Sequence, residues 1–600
     1  MKRASTSNIE NSIISNTITL YFNIYNNYKS ISLLILLIFI IFQKKTFKIN
    51  KIIEKNFFII DSNNLATIKS HMYGYSISKK GIITDNYYKK LGQYEQPEPL
   101  GAYIMVRKIE NEIWLNQDYN GCFGIYIYEN KDTNYFAISN SFLLLEEHLI
   151  GKQNLSLNKD FADNLIISDL CSPSIYETMI KEIICLPSNV FLIINIKDRS
   201  YKCYNYDYKE NSVPLESVKG MKIIDKWVDK WGYIIRSLKK KTDFSTDLSG
   251  GFDTRIIMSI LLNSGIDANN LMVRTIVDKK HNHEEDLIIA SNISSKLGIK
   301  LNKYNIDNKG AKLSVKDALD CSLYTKLGFH KEFYTPTKFF IKPRFHVPGS
   351  GGELLRGFHN IEKYIDIISS KGRDIKGHEE DFYNSSMRLC KRSVDLIKTK
   401  KTYYYKNEIS SVLYSMGRCR NHFGKANIEH YLINSYSLEP LIDPDIRQIR
   451  FNFSENNQND LIAYIYVRFA HDLIYFPFEG KRVLNSKSIK KAEELNKKLP
   501  PYLIKSDYNE NFYIDLKRKS PIHPSKDKNS VEKYLRELFN SSQFKRKINS
   551  IYDNNVYDWA KEYSKKTHFY PLRHGYGLFA VVKTLDYLSI NEKFFNKKKL

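Results

Sequence analysis

The stretch "TDLSGGFDTRIIMSILLNSG", residues 246–265, decides how the rest of the chain is read. A strand-like run, "DFSTDL", meets two adjacent glycines and then an amphipathic helical pattern through Ile256, Ile257, Ile260 and Leu261, closed by "NSG" at 263–265. A strand that turns tightly into a helix gathers unpaired N–H groups and the positive end of the helix dipole at one point. Gly250 and Gly251 have no Cβ to keep an anion such as phosphate away from those N–H groups. Ser249 and Thr254 add hydroxyl donors. Asp253 would repel bare phosphate, so it points either to Mg2+ between the two or to a helix cap. The glycines alone favour an ordinary Gly-Gly turn capped by Asp253.

Outward from this stretch, strands and helices alternate. Residues 221–241 read as a helix, "LMVRTIV" (271–277) as a buried strand, and "EEDLIIASNISSKLGI" (284–299) as a helix. "KYNI" and "RFHVP" are further strand-like runs, and the second leads into another glycine cluster. Such alternation implies right-handed crossovers and a parallel sheet, with ligands at the carboxyl ends of its strands. Upstream, from about 55 to 210, short apolar runs punctuated by Gly, Asn and Asp read as an antiparallel sheet with some helix. There "CFGIYIY" and "YFAIS" flank the turn "ENKDTN", and "VFLIINIKDRSYKCYNYD" (190–207) reads as a second hairpin. Residues 360–600 read as mostly helical. The expected organisation is an N-terminal extension at 1–54, a sheet domain at 55–212 and an α/β domain with a helical C-terminal part at 213–600.

Composition bounds the function. A 600-residue chain exceeds one ordinary core, and its 42% hydrophobic and 13% aromatic content is that of a folded protein. The net charge of +25 is spread along the chain among interleaved acids, and runs such as "KKK" at 239–241 read as solvated faces. No dedicated nucleic-acid surface is expected from it; attraction to anionic substrates or to a membrane surface fits the same charge. The 7 cysteines form no C-x-x-C pair, which argues against a zinc ribbon or disulfide framework and favours a reducing, cytoplasmic setting. The apolar run "ISLLILLIFIIF" (31–42) would span only about 18 Å as a helix, against a hydrocarbon core of roughly 30 Å. No small-x-small cleavage site follows it, which leaves a membrane-associating helix, a buried helix, or an extension upstream of the true start.

"LSGGFDTR" (248–255) resembles the Ser-Gly-Gly-x-Asp-Ser pyrophosphate loop of the N-type ATP pyrophosphatases, and the order of features is similar to the asparagine synthetase and β-lactam synthetase family. "VPGSGGELLRG" (347–357) resembles that family's second glycine loop: Glu353 matches its glutamate and Gly357 its final glycine, but Gly352 stands where the family has a Mg2+-binding aspartate. "SYSLEPLIDPDI" (435–446) resembles a later segment, matching at Pro440 and Asp443, while the family arginine falls on Ser437 or Leu438. "EGKRVLN" (479–485) resembles Gly-Lys-x-x-Leu-Arg, with Lys481 as the lysine near pyrophosphate. The N-terminal sheet resembles the family's glutaminase, but Lys2 follows Met1 and no cysteine precedes Cys122, so the nucleophile is missing and a scaffold role is expected.

The resemblance implies an α/β fold: a parallel-sheet ATP-pyrophosphatase (adenine nucleotide α-hydrolase-like) domain with a helical C-terminal part, preceded by an α+β antiparallel, glutaminase-like (Ntn-type) domain. It implies ATP and Mg2+ as cofactors, with Ser249, Gly250, Gly251, Asp253, Thr254, Gly351 and Gly352 at the nucleotide, Asp253 and Glu353 at the metal, and Lys481 and Glu353 as catalytic residues. The implied chemistry is amide formation through an acyl-adenylate, releasing AMP and pyrophosphate. A small carboxylate substrate and an amine or ammonia donor are the implied partners. The alternatives are a tRNA-modifying enzyme using the same loop, and a non-catalytic relative that has lost the metal chemistry.

Two further stretches have simpler readings. "HNHEED" (281–286) carries metal-ligand residue types but reads as a helix start with acids in its first turn, where Glu285 and Asp286 suit the dipole. "RCRNHFGKANIEH" (418–430) reads as a solvated basic helix face in preference to a substrate-facing one.

Overall fold

The protein is described here by a computed structural model covering residues 51–167, 174–207, 212–275, 283–303, 310–329, 336–356, 361–399, 409–450, 459–518, 525–526, 531–566, 579–586 and 588. The apolar run at 31–42 lies outside these residues. Among those described, no helix is long and apolar enough to cross a membrane.

The two expected hairpins are present and belong to different sheets. Strands β1 (Ile59–Asp61), β6 (Tyr126–Asn130), β7 (Tyr135–Ser139) and β8 (Ile183–Cys185) form a four-stranded antiparallel sheet in the order β1-β7-β6-β8. A six-stranded antiparallel sheet has the order β10-β9-β5-β4-β2-β3, built from β2 (His71–Ser78), β3 (Gly81–Ile83), β4 (Gly101–Ile109), β5 (Glu112–Gln117), β9 (Val190–Asn195) and β10 (Ser200–Asn205). Strand β4 buries Ala102 through Val106 without alternation, so both of its faces are covered.

The parallel sheet forms where the strand–helix alternation predicts it. It follows the helix α1 (Val218–Lys241), capped by Ser217, whose Oγ accepts the Gly220 N–H, and packed through Ile224, Trp227, Trp231 and Leu238. The sheet comprises β11 (Phe244–Asp247), β12 (Met272–Thr275), β13 (Leu301–Lys303), β14 (Arg344–Val347) and β15 (Ser435–Ser437), in the order β13-β12-β11-β14-β15. Every neighbouring pair in it is parallel. From the central β11 the chain first builds outward through β12 and β13, then returns to the other edge of β11 with β14 and β15. The order therefore reverses beside β11, and the crevice at the carboxyl ends of β11 and β14 is a topological switch point. The chain is thus mixed α/β, with antiparallel sheets, a five-stranded parallel sheet and many helices.

The helical C-terminal part is tied to the antiparallel half by polar contacts. Helix α4 (Glu379–Thr399) meets the helix Lys159–Ile167 through Asn164 and Ser386 (2.6 Å), Ser385 and Asp163 (2.7 Å), and Arg388 and Arg392 on Asp160. The basic stretch at 418–430 corrects the solvated-face reading. It is a π-helical segment, Tyr414–Gly424, that continues into α5 (Lys425–Leu432), and Arg420 and Lys425 are both 1% exposed. Arg420 donates at 3.0 Å to the carbonyls of Leu186 and Ile175, and Lys425 donates to the Phe123 carbonyl and, at 2.9 Å, to the Tyr126 hydroxyl. These cations are buried because carbonyls from remote segments complete their hydrogen bonds.

Candidate functional site

The loop after β11 is held by its own hydroxyls. The Leu248 N–H extends the pairing with β12 by reaching the Arg274 carbonyl at 2.8 Å. Thr254 Oγ1 accepts the Ser249 N–H and lies 3.1 Å from Ser249 Oγ, which in turn accepts the Gly251 N–H at 3.1 Å. Gly251 is the N-cap of α2 (Phe252–Leu262), and no side chain caps this helix. The reading of Asp253 as a helix cap is therefore wrong: its carboxylate points elsewhere.

The glycine at 250 answers a close approach. A Cβ there would lie 2.8 Å from Ile289 Cδ1, 2.9 Å from Glu479 Cβ and 3.0 Å from Asp286 Oδ1. Asp286 opens the helix α3 (Glu284–Lys296) after β12, and its Oδ1 accepts the Gly250 N–H at 2.6 Å. The chain's own carboxylate thus takes the hydrogen bond that an anionic ligand would accept. Burial opposes ionisation of Asp286, but hydrogen bonds from Glu479, the Gly250 N–H and His283 outweigh it and hold its pKa below the usual carboxylate range. Burial and the hydrogen bond to Asp286 push the Glu479 pKa the other way, above the usual carboxylate range.

The second glycine loop lies directly on the first. A Cβ on Gly349 would stand 3.1 Å from the Thr254 nitrogen, and one on Gly352 only 2.3 Å from Asp253 Cγ. Gly351 has φ +82°, a left-handed conformation that suits glycine, and its missing Cβ makes room for Ile442. The space of a side chain at 352, where an aspartate was expected, is thus filled by the Asp253 carboxylate. After the turn Gly352–Leu355, Arg356 donates from Nη2 to Asp253 Oδ2 at 2.8 Å. Asp253 Oδ1 is buried and, among the described residues, has no hydrogen-bond partner. Burial raises the Asp253 pKa to about 7, with Arg356 opposing and Glu353 reinforcing the rise.

Of the residues singled out from sequence, Ser249, Gly250, Gly251, Asp253, Thr254, Gly351 and Gly352 share this crevice. Glu353 lies near enough to raise the pKa of Asp253 and of the Tyr414 hydroxyl. Lys481 ends the turn Glu479–Lys481, which rests on the loop through a 3.1 Å bond from the Glu479 N–H to the Gly250 carbonyl and another from the Gly480 N–H to Glu285. The Lys481 side chain and Gly357 lie outside what is described. Asp443 is a structural residue, taking the Trp231 indole N–H at 2.7 Å and Lys230 at 2.6 Å while capping the helix Pro444–Arg447. Among the described residues, no group of three or more His, Cys, Asp or Glu side chains is arranged to hold a metal.

Sequence reasoning missed three arginines. Arg255 is fully buried and donates to the carbonyls of Gly250, Leu473, Phe476 and Pro477, so it ties the loop to the segment leading into the Glu479 turn. Arg356 and Arg482 flank the head of α2. All three sit inside or beside the quoted motifs, at positions where the family pattern is silent. Beside the loop, Asp247, Arg274 and His346 close one face of the sheet end: Asp247 accepts from Arg274 at 2.8 Å and pairs with His346 Nε2 at 2.9 Å. Compared with models of protein families and with curated proteins, the chain matches none.

Proposed function

We propose that the chain is an ATP-dependent ligase that forms an amide through an acyl-adenylate, with an ATP-pyrophosphatase-like parallel sheet and a glutaminase-like antiparallel half that serves as scaffold. One observation carries this reading: two glycine loops, about a hundred residues apart in sequence, pack on Asp253 at the switch point of the parallel sheet. A nucleotide triphosphate there would lie at the head of α2, where the loop N–H groups and the helix dipole favour negative charge.

The residues fit a Mg2+ ion held with the nucleotide. Asp253 Oδ1 is a buried oxygen without a partner among the described residues, and Mg2+ on phosphates asks for only one or two carboxylates. Asp253 would hold it with Glu353 as the second candidate, and the ion would neutralise phosphate charge. Ser249 and Thr254 fix the loop's shape, and preorganised donors at the loop and from Arg356 or Lys481 would stabilise charge on the departing pyrophosphate. In the sheet half, Cys122 is unsuited to act as a nucleophile: it is fully buried, and burial beside Asp118 pushes its thiol well above the ordinary value. Nitrogen would come as ammonia or as an amine on a second substrate.

A second reading has its own observation. Asp286 on the Gly250 N–H is what a non-catalytic relative with a self-filled loop would have. Exchange of labelled pyrophosphate into ATP, measured against a panel of carboxylates, separates the two. The ligase predicts carboxylate-dependent exchange that Asp253→Ala abolishes; no exchange with any panel member sinks it in favour of the second reading.

A further inference from the structure

Arg356 and Arg482 come to the head of α2 from two separate turns and stand over the same ring. Their guanidinium carbons lie 5.8 and 5.3 Å from the centre of Phe252, the first residue of the helix. Arg482 also reaches the loop, since a Cβ on Gly251 would lie 4.0 Å from its Nη2. Neither arginine is built into the fold as Arg255 is. Arg255 is fully enclosed and bonds only to backbone carbonyls, whereas Arg356 and Arg482 have side chains 22% and 38% exposed. Each holds a single carboxylate, Asp253 for Arg356 and Glu479 for Arg482, whose Nε also donates to the Glu479 carbonyl at 3.1 Å. A guanidinium fork matches a phosphate face bidentately, so a phosphate can take the place of either carboxylate.

We infer that Arg356 and Arg482 form a guanidinium clamp for a diphosphate group, which binds at the head of α2 against the glycine loop and exchanges with the carboxylates of Asp253, Glu479 and Asp286. The clamp rests on the ATP-dependent reading and adds to it which side chains hold the leaving diphosphate. It also sets a preference: two arginines plus the loop N–H groups favour a diphosphate over a monophosphate.

Calorimetric titration of the full chain with inorganic pyrophosphate, ATP and AMP tests it. Wild type binds pyrophosphate; Arg356→Gln and Arg482→Gln each weaken that binding about tenfold or more, and the double variant about a hundredfold, while AMP affinity holds. Arg356→Lys keeps the charge, loses the fork and falls between wild type and Arg356→Gln. If the double variant binds pyrophosphate as wild type does, the clamp is wrong although the ATP reading stands. Equal loss of pyrophosphate and AMP binding would mark the arginines as structural and also overturn it. If wild type binds neither ATP nor pyrophosphate, both ideas fall together.

Discussion

Two clusters of charge in this molecule are built on opposite plans. In the seam between the antiparallel half and α5, Arg420, Lys425 and Lys326 are each no more than 2% exposed. Arg420 and Lys425 bond to backbone carbonyls, and Lys326 pairs with buried Glu429 at 2.9 Å. At the head of α2, Arg356 and Arg482 are partly exposed and hold carboxylates. A cation that satisfies buried carbonyls cannot leave without orphaning them, so the seam is permanent. A partly exposed cation on a carboxylate can change partner at little cost, and a ligand site needs that property. Charge alone does not separate the two clusters; the kind of partner and its access to water do.

The largest expected effect lies in the seam. Lys326→Met strands Glu429, whose pKa burial already raises, and should cost about 3–5 kcal/mol in urea unfolding. Replacing both partners, Lys326→Met with Glu429→Leu, should recover most of that loss, because no buried charge is then left alone. Arg482→Gln in the same assay should cost less than about 1 kcal/mol, since its partner Glu479 keeps access to water. Equal costs at the two places would break the comparison.

The next effect sharpens the loop side. Gly352→Ala places a methyl where the Asp253 carboxylate sits, 2.3 Å from its Cγ, and should destabilise by about 1–3 kcal/mol. Asp253→Gly in the same chain removes the obstacle, so the double variant should be more stable than the sum of the two singles predicts. A simple sum would mean that Gly352 and Asp253 do not share one space. Gly352→Asp is the harsher version, and it explains why a second aspartate cannot coexist with this placement of Asp253.

What the sequence showed and what it hid follow the same division. The helix over 252–262, the strands of the first half of the parallel sheet and both hairpins were legible, because periodicity and short turns are local signals. Strand β15 was not: "SYS" is three residues inside a helical region, with no apolar run to announce it. The 418–430 segment was misread because its charges look solvated until the carbonyls of Ile175, Leu186 and Phe123 arrive from far away in the chain. At the candidate site, the glycines and Asp253 stand out by pattern. Asp286 on the Gly250 N–H and the two arginines over Phe252 depend on tertiary approach, which no spacing encodes.

The smallest effect concerns Lys425, where the permanence of the seam can be read from pH. Burial lowers its pKa to about 7, helped by Arg420 and opposed by Cys185, Cys122 and Asp118. The unfolded amine titrates near 10.4, so between about pH 7 and that value the unfolded chain binds more protons and stability rises with pH. Below about pH 7 both states are protonated, and the full penalty of enclosing the charge is present. Lys425→Met removes the penalty along with the hydrogen bonds to Phe123 and Tyr126. Its stability relative to wild type should therefore be best near pH 6 and fall by about 1 kcal/mol or more by pH 9. Urea midpoints at the two pH values check it. A flat difference would mean that the ammonium stays charged throughout, held by the carbonyl as firmly as Arg420 is, and the seam would then be more polar than its burial implies.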